Sequence, residues 1–284
     1  MGESWTIKKL LDWSETYFES HQIEEGRLNA QWLLSHVLKV KRMDLFLQFD
    51  RELIEQELKD YKALIVRRIK HEPLQYIMGE ADFMGRLFTV SPSVLIPRLD
   101  TEVLAEQALS WLKTHPVDAV LDVGTGSGIL AITVALAYPD LPIMAVDISP
   151  EALEVATENA TKHNVPIHFE LGTWPILLSD AKSILVISNP PYIAESVIST
   201  LSSEVKEHEP TLALSGGADG LDVIRQIIDN IRSFGREVQL MMEIGYDQGR
   251  SVSSLLAEAN FSNINIIPDY EGRDRVVVGT YSPT

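Results

Sequence analysis

Apolar residues recur at helical spacing through the N-terminal part of the chain. Ala30, Leu33, Leu34, Val37 and Leu38 fall at i, i+3, i+4, i+7 and i+8, one face of a helix, and Leu58, Tyr61, Ile65 and Ile69 repeat the pattern. Few strand signals interrupt them, so the spacing predicts a small helical bundle over residues 1–75. The texture then changes. Between Pro73 and Pro97, glycine, proline and aromatic residues crowd into YIMGEADFMGRLFTVSPSVLIPR. Phe88 and Val90, and then residues 94–96, are expected as two short strands. They form a β-hairpin or extended linker over residues 76–98 that marks the domain boundary.

From Asp100 onward, apolar runs of strand length alternate with longer stretches. AVLDV (119–123), PIMAVDI (142–148), IHFEL (167–171), SILVI (183–187) and EVQLMMEI (237–244) read as strands. DTEVLAEQALSWL, GILAITVALAY, SPEALEVATENATKH, DGLDVIRQIIDNIRSF and DQGRSVSSLLAEA read as helices. Asp100 or Thr101 is the expected N-cap of the first, and Ser149 caps the third with Pro150 in its first turn. Strands separated by helix-length segments imply βαβ units on a mainly parallel sheet. NINIIPDY and DRVVVGTY are joined by a short loop and should close the sheet as an antiparallel hairpin. The expected architecture is α/β, a seven-stranded, Rossmann-like sheet over residues 99–284.

Composition narrows the function more than the fold. The chain has 284 residues, enough for a large domain and a small one, and its 45% hydrophobic content can fill a core. There is no cysteine, which removes disulfides, thiolate metal sites and cysteine nucleophiles, and no metal site is expected. MGESWTIKKLLDW lacks the layout of a signal peptide, and no apolar run reaches the ~20 residues that span a bilayer. A cytoplasmic protein without a membrane contact is expected. The net charge of −17 repels bare nucleic acid. It suits a small cationic ligand or a basic protein partner, or it serves solubility alone.

LDVGTGSG (121–128) follows the first strand of the sheet and opens a helix. Gly124, Gly126 and Gly128 allow a sharp turn and the close approach of a ligand. The spacing is G-x-G-x-G, without a Walker lysine, so a nucleoside triphosphate is not expected. Asp147 ends the next strand, where an acid can accept hydrogen bonds from both ribose hydroxyls. The alternative is a tight βα turn with Asp147 as a surface residue. With the closing hairpin, these residues resemble the class I S-adenosylmethionine-dependent methyltransferase fold. That resemblance implies S-adenosyl-L-methionine as cofactor. Asp122 could then face the cationic end of the cofactor or cap the glycine loop, and the two roles are compatible.

SNPPY (188–192) ends the fourth strand, because two prolines cannot continue a central ladder. Asn189 and Tyr192 are held on a stiff backbone at the strand tip. A planar –NH₂ group is a poor nucleophile because its lone pair is delocalised. Acceptors on both of its N–H bonds, the Asn189 side-chain oxygen and the Pro190 carbonyl, would orient it and favour attack on a methyl carbon. Tyr192 offers a flat face to a planar amide or base. A plain strand-ending turn is the competing reading. The run resembles the [DNS]-P-P-[YFW] motif of amino-group methyltransferases, which act on adenine, cytosine or glutamine, and the motif itself does not separate these.

The chain resembles the HemK/PrmC family over nearly its whole length. The matching segments are the helical N-terminus, FTVSPSVLIPRLDTE (88–102), VLDVGTGSG (120–128), AVDISPEAL (145–153), SNPPYI (188–193), HEPTLALSGGADGLD (208–222) and RDRVVVG (273–279). The resemblance implies methylation of N5 of the glutamine in the Gly-Gly-Gln loop of peptide chain release factors, with the N-terminal bundle helping to dock that substrate. It places Asn189, Pro190, Pro191 and Tyr192 at the glutamine amide, with Phe88 and Arg98 beside them. Glu209 and Pro210 flank the substrate channel or form a plain turn, and Arg98 could be a surface ion-pair former. Thr125 and Ile148 join Asp122, Gly124, Gly126, Gly128, Asp147 and Asn189 as expected cofactor contacts. Two departures stand out. Leu99 replaces a common proline, and Thr173 in LGTWP occupies a position where the family commonly has an aspartate for the adenine amino group. Thr173 or a backbone group then binds adenine, and Trp174 packs on adenine or in the core. A relative acting on a ribosomal-protein glutamine has a connector like Ile-Pro-Arg-Ser-Pro, unlike IPRLDTE here, which favours release factors. Adenine methylation fits poorly with the charge, and a non-catalytic binder fits poorly with the intact motifs. A monomer with no direct nucleic-acid contact is expected.

Overall fold

The computed structural model describes residues 4–175 and 181–283. The chain divides into two compact units, Met1–Gly79 with Ser203–His208, and Glu80–Ser202 with Glu209–Thr284. Among the described residues no helix is long and apolar enough to cross a membrane.

The first unit is helical, as the spacing predicts. Helices α1 (Ile7–Ser20), α2 (Gly26–Leu38), α3 (Glu55–Arg68) and α4 (Leu74–Met78) surround a core, with a 3-10 turn over Arg42–Gln48. Thr6 caps α1, its hydroxyl oxygen accepting from the Lys9 N–H at 3.3 Å. Leu11, Phe18, Ala30, Leu33, Leu34, Tyr61 and Ile65 are buried together. Tyr61 satisfies its buried hydroxyl by donating to Ser14 Oγ at 2.9 Å. Residues 203–208 belong to this unit through Arg68, which pairs with Glu204, and His208, which donates to the Lys70 carbonyl at 3.1 Å. Helical periodicity carries no trace of that distant attachment.

The second unit begins with a hairpin of β1 (Glu80–Phe83) and β2 (Arg86–Thr89). Met84 and Gly85 form its two-residue turn, both with positive φ, 50° and 72°, the backbone of a type I′ turn. This differs from the expected pair of strands at Phe88–Val90 and 94–96. The hairpin closes earlier because Gly85 supplies the turn, and the following segment, bracketed by Pro92 and Pro97, stays outside any strand. Helix α5 (Leu99–Leu112) starts sooner than expected. Arg98 is its N-cap residue without a side-chain cap, and Asp100 and Thr101 sit inside the first turn.

A three-layer domain follows: β3 (Ala119–Val123), α6 (Ile129–Ala137), β4 (Ile143–Asp147), α7 (Pro150–Lys162), β5 (His168–Leu171), β6 (Ser183–Ser188) and a short α8 (Glu195–Ile198). Helix α9 (Ser203–His208) departs to the first unit, and the domain resumes with α10 (Asp222–Phe234), β7 (Glu237–Glu243), α11 (Gly249–Glu258), β8 (Phe261–Pro268) and β9 (Asp274–Tyr281). The sheet order is β5-β4-β3-β6-β7-β9-β8, parallel from β5 to β7, with β9 antiparallel to both neighbours. Leu121, Val146, Val186, Leu240 and Met242 face α10 and α11. Val120, Ala145, Leu185, Ile187 and Met241 face the layer of α5 and α6. Both faces are covered, which is why these strands read as continuous apolar runs.

One buried side chain ties the hairpin to the domain. Asn159 of α7 accepts from the Thr89 N–H at 2.7 Å and donates to the carbonyls of Thr89 and Ser127, both at 2.9 Å. Asn159→Ala leaves those three backbone groups unpaired. It is expected to cost ~2–4 kcal/mol in urea unfolding, and a loss under about 0.5 kcal/mol would contradict this anchoring.

Candidate active site

The chain order reverses between β3 and β6. From β3 the sheet grows through β4 to β5, then β6 pairs on the other side of β3, with Asp122 opposite Ile187. Such a switch point opens a crevice at the carboxyl ends of the strands. The Ser188 hydroxyl donates to the Val123 carbonyl at 2.6 Å and holds the two tips together. The glycine loop leaves one tip and Asn189 the other. Both line one cavity of about 380 Å³.

The glycine loop is shaped as its sequence requires. Gly124 and Gly126 have φ of 71° and 55°, line the cavity, and have open space where a Cβ would stand. Gly128 serves packing instead. A Cβ there would lie 3.0 Å from Ile132 Cδ1 and 3.3 Å from Ala156 Cβ, and the residue does not line the cavity. Beneath the loop, Asp122 Oδ2 accepts from the Thr125 hydroxyl at 2.7 Å and from the Ala131 N–H at 3.1 Å. Asp122 is therefore the cap of the loop and of the α6 start. Its Oδ1 is buried without a partner. Burial pushes its pKa up to about 7, against the two hydrogen bonds and with the help of the Asp147 charge.

Asp147 stands at the tip of β4 on the cavity wall. Its Oδ2 accepts from the Gly126 N–H and its Oδ1 from the Ser149 N–H, both at 2.9 Å, so the carboxylate locks the glycine loop to the start of α7. Ile148, half exposed, and Thr173 line the cavity beside it. Trp174 does not. Its ring packs on Phe234, centroids 5.7 Å apart, against the core. Sequence reasoning missed Gln226 and Asn230, which lie one helical turn apart on α10 and reach the cavity, with Asn230 Nδ2 donating to the Thr173 carbonyl at 3.4 Å. The amphipathic period of α10 was the available signal, since both polar residues fall near the Val223–Ile227 side.

Asn189 and Pro191 line the cavity, and Pro190 is buried. Asn189 Nδ2 donates to Thr101 Oγ1 at 3.0 Å. Tyr192 is placed differently from the sequence expectation. Its ring packs toward the core, off the cavity wall, and its hydroxyl donates to Glu243 Oε1 at 3.1 Å. Glu243 ends β7, is almost fully buried, and lies beside the Thr101 hydroxyl. Burial pushes the Glu243 pKa up to about 7 although Thr101, Arg275 and Tyr192 oppose the rise. Burial and the neighbouring Glu243 charge raise the Tyr192 phenol above its ordinary value. The Asn-Pro-Pro-Tyr backbone is buttressed from behind. Ile193 and Ser215 form a bridge, and a Cβ on Gly216 would lie 2.7 Å from the Pro191 carbonyl, while one on Gly220 would strike that of Tyr192.

Arg98 lines the cavity and pairs with the buried Glu209, whose Oε2 has no partner. Glu209 itself lies behind the wall, which Pro210, Leu212, Ala213 and Ser215 complete. Phe88 is not brought to the site. It is fully buried between Phe83 and His163, ring centroids 6.2 and 4.6 Å away, because β2 turns that face into the core.

Residues 9–79 match the PrmC N-terminal domain family and residues 100–216 the Methyltransferase small domain family. The release factor glutamine methyltransferase of Geobacter sulfurreducens is 40% identical over 278 residues, covering 98% of this chain and 97% of that one. A solved release-factor-specific protein-(glutamine-N5) methyltransferase from Alicyclobacillus acidocaldarius is 30% identical over 69% of this chain and all of that one, with a TM-score of 0.40. The hMettl16 catalytic domain, solved with an RNA hairpin from the MAT2A 3′UTR, is 14% identical with a TM-score of 0.54 over 82% of this chain and 84% of that one, a likeness of fold.

The buried Asp122 carboxyl has a consequence for stability. Its folded pKa lies above the unfolded value of 3.8, so the folded state retains the proton and loses stability as pH rises through about 7. Asp122→Asn keeps an oxygen for Thr125 and Ala131 and removes the charge. Relative to wild type the variant is expected to gain ~1–3 kcal/mol between about pH 5 and about pH 8, measured by urea unfolding. Parallel pH profiles for the two proteins would contradict the elevated pKa.

Proposed function

The chain belongs to the family of release factor glutamine methyltransferases, which draw on S-adenosyl-L-methionine as methyl donor, and from that premise we propose that it methylates N5 of the glutamine in the Gly-Gly-Gln loop of its release-factor substrates. The observation that carries this reading is the shared cavity: the glycine loop with Asp147 and the amide of Asn189 line the same wall-bounded space. The residues present suit the cofactor. The Gly124–Gly126 turn has no side chain in the way, Asp147 retains lone pairs for ribose hydroxyls, and Ile148 offers an apolar face beside Thr173 for the adenine. Asp122 holds the loop in that shape from below.

When bound, the cofactor supplies a methyl carbon activated by its sulfonium. The rest belongs to the chain. Asn189 Oδ1 and the Pro190 carbonyl accept the two N–H bonds of the substrate amide, which fixes its plane and draws the nitrogen lone pair out of conjugation. Pro190 and Pro191 keep these acceptors from relaxing. The amide nitrogen loses its proton after it has gained the methyl, so no general base is needed at the cavity. Tyr192 acts from behind the clamp rather than by stacking. Arg98, held by Glu209, stands at the wall where the peptide backbone around the glutamine would pass. The net charge of −17 favours a basic protein surface and disfavours bare nucleic acid. Release factors act on translating ribosomes, which places this activity in the cytoplasm, and a monomer suffices for it.

The test uses radiolabelled cofactor with an unmethylated release factor, with its Gly-Gly-Gln Gln→Ala variant, and with an adenine-containing DNA duplex. Label is expected in the first alone. Label in the Gln→Ala variant, or in none of the three, would sink the reading. Asn189→Ala is expected to lower turnover ~10²-fold or more while cofactor affinity stays within about twofold, and a matching collapse of cofactor binding would assign Asn189 to the cofactor instead.

A further inference from the structure

A primary amide shows oxygen on one side and –NH₂ on the other, and a half turn about its last side-chain bond exchanges them. Which side of Asn189 faces the cavity is therefore a chemical choice. The side away from the cavity meets Thr101, a buried residue with one hydroxyl hydrogen. The Glu243 carboxyl lies beside that hydroxyl. Thr101 Oγ1 takes a hydrogen from Asn189 Nδ2 at 3.0 Å. Asn189 Oδ1 is left for the cavity. The Tyr192 hydroxyl donates to Glu243 Oε1 at 3.1 Å, so both ends of the Asn-Pro-Pro-Tyr run meet the surroundings of one carboxyl.

We propose that Glu243 and Thr101 are positioning residues that hold the Asn189 amide with its oxygen toward the cavity, and so select a substrate group that donates N–H. The inference rests on the reading that Asn189 clamps the substrate amide. With the opposite order, Asn189 would point its own –NH₂ at the substrate –NH₂, donor against donor. Arg275, on the neighbouring strand β9, faces Glu243 and is paired with Asp269 at 3.1 Å and Asp100 at 3.2 Å. None of these groups touches the reacting atoms. Their effect passes through one rotatable amide.

Thr101→Val removes the hydroxyl at nearly constant volume, and Thr101→Ser returns it. Single-turnover methyl transfer to an unmethylated release factor is measured alongside cofactor affinity by calorimetry and thermal stability. Thr101→Val is expected to slow transfer roughly 10- to 100-fold with cofactor affinity unchanged, and Thr101→Ser to recover most of the rate. A wild-type rate in Thr101→Val, a Thr101→Ser as slow as Thr101→Val, or a loss matched by lost cofactor affinity overturns the proposal. Should Thr101→Val lower the folded fraction, Glu243→Leu, which removes the acceptor and leaves Thr101 in place, carries the same expectation, and an unaltered rate in it overturns the proposal. Asn189→Ala separates the two levels. If it is as fast as wild type, the clamp reading itself fails. If it is slow while Thr101→Val is fast, only the positioning inference fails.

Discussion

Everything in the site depends on the parallel pairing of β3 with β6. Their register sets Asp122 opposite Ile187, so the two strands end level, and the Ser188 hydroxyl bonds the Val123 carbonyl across the gap. The two loops then leave adjacent tips. One turns under glycine control toward α6, and the other is stiffened by two prolines. A one-residue slip in this pair would move every side chain of β6 to the other face and carry Asn189 out of the cavity. Both strands are covered on both faces by apolar side chains, which makes such a slip costly.

The site is also a place where buried polar groups are concentrated. Asp122, Glu209 and Glu243 each keep one oxygen with no protein partner, while most buried polar atoms in proteins are paired. Each also has its second oxygen engaged by something that shapes the cavity: Thr125 and Ala131 at the glycine loop, Arg98 at the wall, Tyr192 behind the clamp. The cost of burial is carried where orientation matters, and the surrounding core of β3, β6 and β7 supplies the stability that offsets it.

Close backbone contact does the remaining work. Gly216 and Gly220 let residues 215–220 lie against the carbonyls of Pro191 and Tyr192, where any side chain would collide. Gln248 Nε2 reaches the Tyr192 carbonyl at 2.9 Å and the Gly220 carbonyl at 3.3 Å and joins the two segments. The stiffness that prolines confer along the chain is thus completed by packing across it.

Much of this was legible in one dimension. The order of strands and helices, the closing hairpin, the glycine turn and the acid after β4 follow from local chemistry, because period, turn residues and caps are properties of neighbouring residues. The Asn-Pro-Pro-Tyr run was visible for the same reason. What holds it in place was not. Thr101, read with Asp100 as a candidate helix cap, is a buried partner of Asn189; Tyr192 read as a stacking face and is a hydroxyl donor to Glu243; Phe88 read as a contact and is core; Trp174, read as packing on adenine or in the core, packs on the core. The attachment of residues 203–208 to the helical unit was equally silent. The sequence by itself determined which elements form and which chemical groups stand at the strand tips. Only the tertiary structure decided which way those groups point, because orientation is set by partners such as Glu243 that lie tens of residues away and meet them through strand pairing alone.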